Sequence, residues 1–447
     1  MPRAPWAALA EARPQPPNIV FILADDLGYG DLGCYGQQRI LTPQIDRMAE
    51  EGARFTQVYA GAPVSAPSRC CLMTGLHNGH GRIRDNIPHG IYLQPDDLTV
   101  AEVLKKAGYR TGMIGKWSLG VPGTWGLPGY QGFDTFYGHL DQDQAHFYYP
   151  DHLWENDEAV LLRGNRGEKR GQYTHDLFTE RALKFIESNK HKPFFLYLGY
   201  TIPHWSDFDG NTPESLIVPS DQPYSDRDWP QVEKNYAAMV TRMDTDVGKI
   251  LDLLKRLGIE ENTLVFFSSD NGPADGHLHD PDFFDSNGPL RGVKRDLYEG
   301  GIRVPMIARW PGRTPSGQVN DMPWAFWDIL PTLAEAAGLP PPRGIDGVSV
   351  LPTLLGEKQD NPHASFYWDY GHARDEFLQA ARLGNWKGVC NGLGKKIELY
   401  DLSADIGETT DIAEAHPEIV RQVEELMRRE YTPSPDYPLK TGTEEAR

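Results

Sequence analysis

Cysteine is scarce in this chain of 447 residues: only Cys34, Cys70, Cys71 and Cys390 occur. Cys70 and Cys71 are adjacent and badly placed to pair with each other, and no zinc spacing is present, so no disulfide framework is indicated. No apolar run approaches the length that spans a bilayer. Residues 1–17 hold Pro and Ala but no continuous apolar segment, so an intact signal peptide is not expected there. No internal repeat and no low-complexity tract is found. Basic residues are also in deficit, with 44 Lys and Arg against 63 Asp and Glu and a formal net charge of −19. That balance argues against nucleic acid or an anionic membrane as a partner.

What remains is ordinary soluble-protein material, 39% hydrophobic and 24% charged. The length exceeds one ordinary core. The division read from the pattern is a tail at 1–17, a large α/β domain at 18–343 and a smaller α+β domain at 344–447. The Pro340-Pro341-Pro342 break marks the boundary.

Three continuous apolar runs read as buried strands, at 18–24, 193–200 and 262–269. The first ends in Asp25-Asp26 and the third in Asp270-Asn271. Polar groups at the C-terminal ends of buried strands lie where open α/β sheets hold their ligands. Two such acidic ends could share one hard divalent cation, Ca²⁺ or Mg²⁺, in an oxygen cage. Lys116 follows a short strand at 109–114, between glycines, and can point into the same crevice. His204 follows the strand at 193–200. The segment 122–171 is rich in Gly, Asp and aromatic residues, His146 among them, and reads as long connections over the mouth of a site. Aromatic rings with polar handles suit sugar recognition.

Ser65-Ala66-Pro67-Ser68-Arg69 is the most informative stretch. Pro67 biases Ala66 away from helical geometry and opens a helix. Ser65 is then either a cap or a hydroxyl at an anion-binding helix start, with Arg69 one turn on. Ser65 to Gly75 resembles, at every fixed position, the signature C/S-x-P-S-R-x-x-x-L/M-T-G of the type I sulfatases of the alkaline phosphatase superfamily. The likeness extends through Gly115-Lys116-Trp117-Ser118-Leu119-Gly120, Pro203-His204 and Gly292-Val293-Lys294 to the last helix.

The resemblance implies a large mixed, mostly parallel sheet flanked by helices, with a smaller C-terminal domain. It implies hydrolysis of a sulfate ester, on a sulfated carbohydrate, by a formylglycine made from Ser65. A maturase, of the radical type for Ser, would be a partner. Ca²⁺ would be held by Asp25, Asp26, Asp270, Asn271 and position 65. Arg69 would orient the nucleophile, Lys116 and Lys294 would bind sulfate, and His204 would assist the leaving group. Export to the periplasm or medium is the family's habit, with a cytoplasmic protein as the other reading. Ser118 departs from the pattern, since many members place there a His that touches the formylglycine hydroxyl. Ser118 and His146 are the remaining substrate-site candidates. A phosphoester or phosphonate hydrolase of the same superfamily, and an inactive carbohydrate-binding relative, would use the same frame. The same sequence also fits a Cys-to-Ser replacement at position 65.

Overall fold

The structure, a computed structural model, describes residues 16–167, 169–206, 215–276 and 279–439. Most of the tail read at 1–17 therefore lies outside the described residues. The main-sheet strands, in chain order, are β1 (Asn18–Asp25), β2 (Ala53–Tyr59), β3 (Arg110–Lys116), β4 (Thr135–His139), β5 (His152–Glu155), β6 (Glu158–Leu161), β7 (Phe194–Pro203), β8 (Thr263–Ser269), β9 (Arg303–Arg309), β10 (Gln318–Asn320) and β11 (Trp324–Ala325). Their order across the sheet is β10-β2-β9-β8-β1-β7-β3-β4-β5-β6, with β11 beside β2. The centre, β8-β1-β7-β3-β4, is parallel, and antiparallel pairs flank it.

Strand β1 is apolar throughout because both of its faces are covered. Val20 and Ile22 pack with Leu196, Leu198 and Met239, whereas Ile19, Phe21 and Leu23 pack with Phe195, Tyr197 and Leu330. Helices α1 (Pro43–Glu51), α4 (Thr174–Asn189) and α5 (Gln231–Arg256) cover the first face. Helices α2 (Ser65–Thr74) and α3 (Val100–Lys106), with the helix Ile329–Ala336, cover the second. A second sheet of β12 (Ser365–Tyr370), β13 (Leu378–Leu383), β14 (Trp386–Cys390) and β15 (Ile397–Asp401) is antiparallel and packs against the helix Pro417–Glu430. Among the described residues, no helix is long and apolar enough to cross a membrane.

Two expectations change. The spacing of Ile45, Met48, Ala49 and Ala53 reads as one helix over 42–55, but α1 stops at Gly52 and β2 follows. The close approach of Gly52 to the Ala308 carbonyl turns the chain into the sheet, where a Cβ would lie 2.3 Å from that oxygen. The segment 122–171, expected to be connections, supplies β4, β5 and β6 at the sheet edge.

Candidate active site

The parallel register brings the ends of β1, β7, β8 and β3 to one side of the sheet. Ala24 pairs with Ser269, so Asp25-Asp26 and Asp270-Asn271 leave adjacent strands side by side. Asp26 takes a left-handed backbone conformation (φ 64°), yet carboxylate oxygens of Asp25 and Asp26 stay within 4.8 Å of each other and of a His204 ring nitrogen. Each has its own lysine: Lys116 Nζ donates to Asp25 Oδ2 (2.8 Å), and Lys294 Nζ donates to Asp26 Oδ2 (2.8 Å).

The signature helix α2 enters from the other face. It starts at Ser65, with extended Val64 as its cap residue. Ala66 is thus helical, against the bias that Pro67 imposes. Pro67 lies in the first turn, where an amide has no intrahelical acceptor to lose. The Ala66 amide itself donates to Asn86 Oδ1 (3.0 Å). Every residue of α2 is buried. Ser65 Oγ donates to Asp25 Oδ1 (3.1 Å) and accepts from Lys116 Nζ (3.4 Å). Arg69 donates through Nε and Nη2 to Asp270 Oδ2 (3.1 and 2.8 Å) and through Nη1 to the Lys116 carbonyl (3.1 Å). Gly199 permits this last contact, since a Cβ there would sit 3.0 Å from Arg69 Nη1.

His204 Nε2 lies 3.0 Å from Lys294 Nζ and 3.3 Å from Asp26 Oδ2, and its Nδ1 faces the Trp205 carbonyl at 2.6 Å. The latter contact assigns the proton to Nδ1, which leaves Nε2 as an acceptor from Lys294. His146 Nε2 lies 3.3 Å from Lys116 Nζ. Ser118, also at positive φ (66°), has a buried Oγ without a hydrogen-bond partner among the described residues. The His146 ring, and not the Ser118 hydroxyl, meets Lys116. Two contributors escaped the sequence reading. Tyr197 OH lies 3.5 Å from Arg69 Nη1, and Asn86 holds the start of α2.

Electrostatically the site is a near-balance of Asp25, Asp26 and Asp270 against Arg69, Lys116 and Lys294, all buried. Burial works to raise Asp25, but Lys116, then His204 and Arg69, hold it well below the ordinary carboxylate range. Burial raises Asp26 against the pull of Lys294, and raises Asp270 with Asp25 adding to the effect. Burial lowers Lys116 against the opposing pull of Asp25. Burial, then His146 and Lys294, keep His204 neutral.

The donor set fits a hard dication. Asp25 and Asp26 bring oxygens together beside a His204 nitrogen, and Asp270, which accepts from the Asp26 amide (3.2 Å), and Asn271 add further oxygen donors of the kind Ca²⁺ takes. Asn271 Oδ1 is buried with no hydrogen-bond partner among the described residues, while its Nδ2 is spent on Asp26 Oδ1 (2.7 Å). An unpartnered amide oxygen beside buried carboxylates is a donor that a hard cation would satisfy. A dication there would make the balanced site net positive, which an anionic ester needs in a chain of net charge −19.

Fold and site together define a hydrolase of the alkaline phosphatase-like type. The family described as Sulfatase matches residues 17–339, and that described as N-sulphoglucosamine sulphohydrolase, C-terminal, matches residues 292–432. The N-acetylgalactosamine-6-sulfatase of Mus musculus is 35% identical, over 92% of this chain and 80% of its own length. The N-acetylgalactosamine-6-O-sulfatase of Bacteroides thetaiotaomicron is 31% identical, over 92% of this chain and 93% of its own. The crystal structure of Ps i-CgsB in complex with k-i-k-neocarrahexaose superposes with a TM-score of 0.78 at 29% identity, covering 96% of each chain. The chain belongs to the sulfatase family and is a sulfuric ester hydrolase.

Proposed function

We propose that this enzyme removes sulfate from a carbohydrate and that position 65 provides the nucleophile after Ser65 is oxidised to formylglycine. The observation that carries the reading is the placement of Ser65 Oγ between Asp25 and Lys116, at the mouth of the carboxylate cage. The oxidation removes two hydrogens from the Ser65 side chain and requires a maturase, of the radical type for serine. Ca²⁺ held by Asp25, Asp26, Asp270 and Asn271 would acidify an oxygen at position 65 and draw charge from the sulfate.

The remaining roles fall to the chain's own side chains. Asp25 orients the oxygen on residue 65. Arg69 ties Asp270 to the Lys116 carbonyl and so fixes the cage relative to α2. Lys116 and Lys294 supply positive charge where the sulfate oxygens gain it in the transition state. The departing sugar oxygen needs a proton. With His204 Nε2 accepting from Lys294, that proton comes from Lys294 Nζ, which is left as a neutral amine held between Asp26 and His204 until solvent reprotonates it. His146 stands beside Lys116 in the space that Ser118 does not reach.

The names of the relatives make 6-O-sulfated N-acetylgalactosamine the first substrate to test, within the class of galactose-type sugar sulfates. The full-length enzyme, matured in a host carrying a radical maturase, should desulfate at least one member of a panel of defined sulfated mono- and oligosaccharides. It should turn over an aryl phosphate far more slowly. Faster aryl phosphate turnover, with no sugar sulfate accepted, would overturn the reading.

A further inference from the structure

The far end of the signature helix carries a second group of ligating side chains, about 15 Å from Ser65 by the rise of a ten-residue helix. His77 and His80 follow the helix cap. His77 Nε2, His80 Nδ1 and a carboxylate oxygen of Asp346 all lie within 4.8 Å of one another. Asp346 Oδ1 and Oδ2 are each 3.0 Å from His80 Nδ1, and Oδ2 is 3.8 Å from His77 Nε2. Glu430, on the last turn of the C-terminal helix, places Oε2 3.4 Å from His77 Nε2. Its other oxygen is held by Arg429, so Oε2 faces the histidine.

We propose that His77, His80 and Asp346 bind one Zn²⁺ and that Glu430, drawn in from beside His77 as the fourth ligand, clamps the segment after the signature helix to the C-terminal helix. Ligand spacing is the first argument. Bonds of about 2.0–2.2 Å in tetrahedral geometry put neighbouring ligand atoms roughly 3.3–3.6 Å apart. Within the group, the separations of 3.0 Å (His80 to Asp346) and 3.8 Å (His77 to Asp346) bracket that value, while Glu430 approaches His77 alone at 3.4 Å. Chemistry is the second. Two imidazoles with two carboxylates suit a borderline ion such as zinc, whereas the all-oxygen cage at Asp25 suits calcium.

Space is the third argument. A cavity of about 130 Å³ is bounded by His77, Asp346 and Glu430, with His363, Ser365, Trp327, Phe366 and Tyr367 as its other walls, and His80 adjoins it through Asp346. His77 is only 6% exposed, and its Nδ1 has no hydrogen-bond partner among the described residues. A ring buried at that cost recovers it through Nε2. The frame is also fixed. Asp346 and Gly347 amides donate to the Gly75 carbonyl (2.9 and 3.0 Å), and the His77 amide donates to Asp346 Oδ2 (2.9 Å). No spacing in the sequence marks the site, because Asp346 and Glu430 lie 269 and 353 residues beyond His77.

The test uses the full-length protein, stripped with a chelator and then saturated with Ca²⁺. Titration with Zn²⁺ against a chromophoric chelator should show one tight equivalent, and Zn²⁺ should raise the melting temperature. His80→Ala, at a side chain 31% exposed, should lose that equivalent and the thermal response while keeping the chelated protein's melting temperature. Should His80→Ala fail to fold, Glu430→Gln serves and should weaken Zn²⁺ at least tenfold. Ser65→Ala should leave Zn²⁺ binding unchanged. Absence of a tight equivalent, or equal binding by wild type and the folded His80 or Glu430 variant, would overturn the proposal.

Discussion

The ring of His146 lies flat on that of His204, with centroids 3.7 Å apart and planes 11° from parallel. Each ring turns Nε2 to a different lysine, His146 to Lys116 and His204 to Lys294. The site therefore holds two lysine–histidine pairs, one over Asp25 and one over Asp26. The stacked rings fix their separation.

His146 is thus tied to Lys116 and His204 in the buried interior of the site. Replacing it with Ala should lower kcat by about 100-fold or more, in the range of a lost acid–base or positioning group. Because the ring is buried and stacked on His204, the melting temperature is read alongside, so that lost packing is separated from lost chemistry. An unchanged kcat for His146→Ala would remove the residue from the chemistry.

The buried carboxylates make metal removal a direct probe. Chelation should abolish turnover, and Ca²⁺ should restore it. Calcium at 100 times its dissociation constant stabilises by about 2.7 kcal/mol. Asn271→Ala, which deletes the orphaned amide oxygen, should shift the calcium midpoint upward. Calorimetric titration reads this directly. Full activity in exhaustively chelated enzyme would contradict the assignment.

The C-terminal sheet is locked to the catalytic layer by a buried triad. Lys387 Nζ lies 2.9 Å from Glu299 Oε1 and 3.0 Å from Glu408 Oε1, with no exposure at any of the three side chains. Lys387→Met leaves two carboxylates buried together and should cost about 3–5 kcal/mol. Burial works to raise Glu299, but Lys387, then Arg303 and Arg382, bring it down to about 2 from an ordinary 4.5. Its folded value is the lower one, so its stabilisation is complete above the unfolded value. It is lost as pH falls from there towards about 2. Denaturant melts of wild type and variant across that acid range should therefore converge at the acid end. A constant difference would refute the role given to Lys387.

How much was legible varies by element for physical reasons. β1, β7 and β8 announced themselves as continuous apolar runs because helices cover both faces. β13, β14 and β15 read from the sequence as short strands at 378–383, 386–390 and 397–401, and the structure has them there, their ends set by turns. β2 was hidden because its register with β9 shifts between Phe55 and Val58, which breaks the alternation a strand usually shows. β4, β5 and β6 are short edge pieces inside a Gly-rich stretch. In the site, the carboxylates and Lys116 were readable as strand ends. Which lysine pairs with which aspartate was not, since that depends on the turn at Asp26 and on Lys294 folding back from the loop before β9. His146 reaches the site from a single turn at Gln144–His146, with no pattern to place it there. The Glu299–Lys387–Glu408 triad joins three distant segments and left no local trace.

The account rests on Ser65. The most direct measurement is mass mapping of the tryptic peptide 55–69 from enzyme matured with a radical maturase, paired with sulfatase turnover of the same sample. The account predicts a peptide lighter by two hydrogens at residue 65, and activity proportional to its fraction across preparations. Ser65→Ala should be inactive in every preparation. Full activity from protein whose residue 65 is wholly unmodified serine would contradict it.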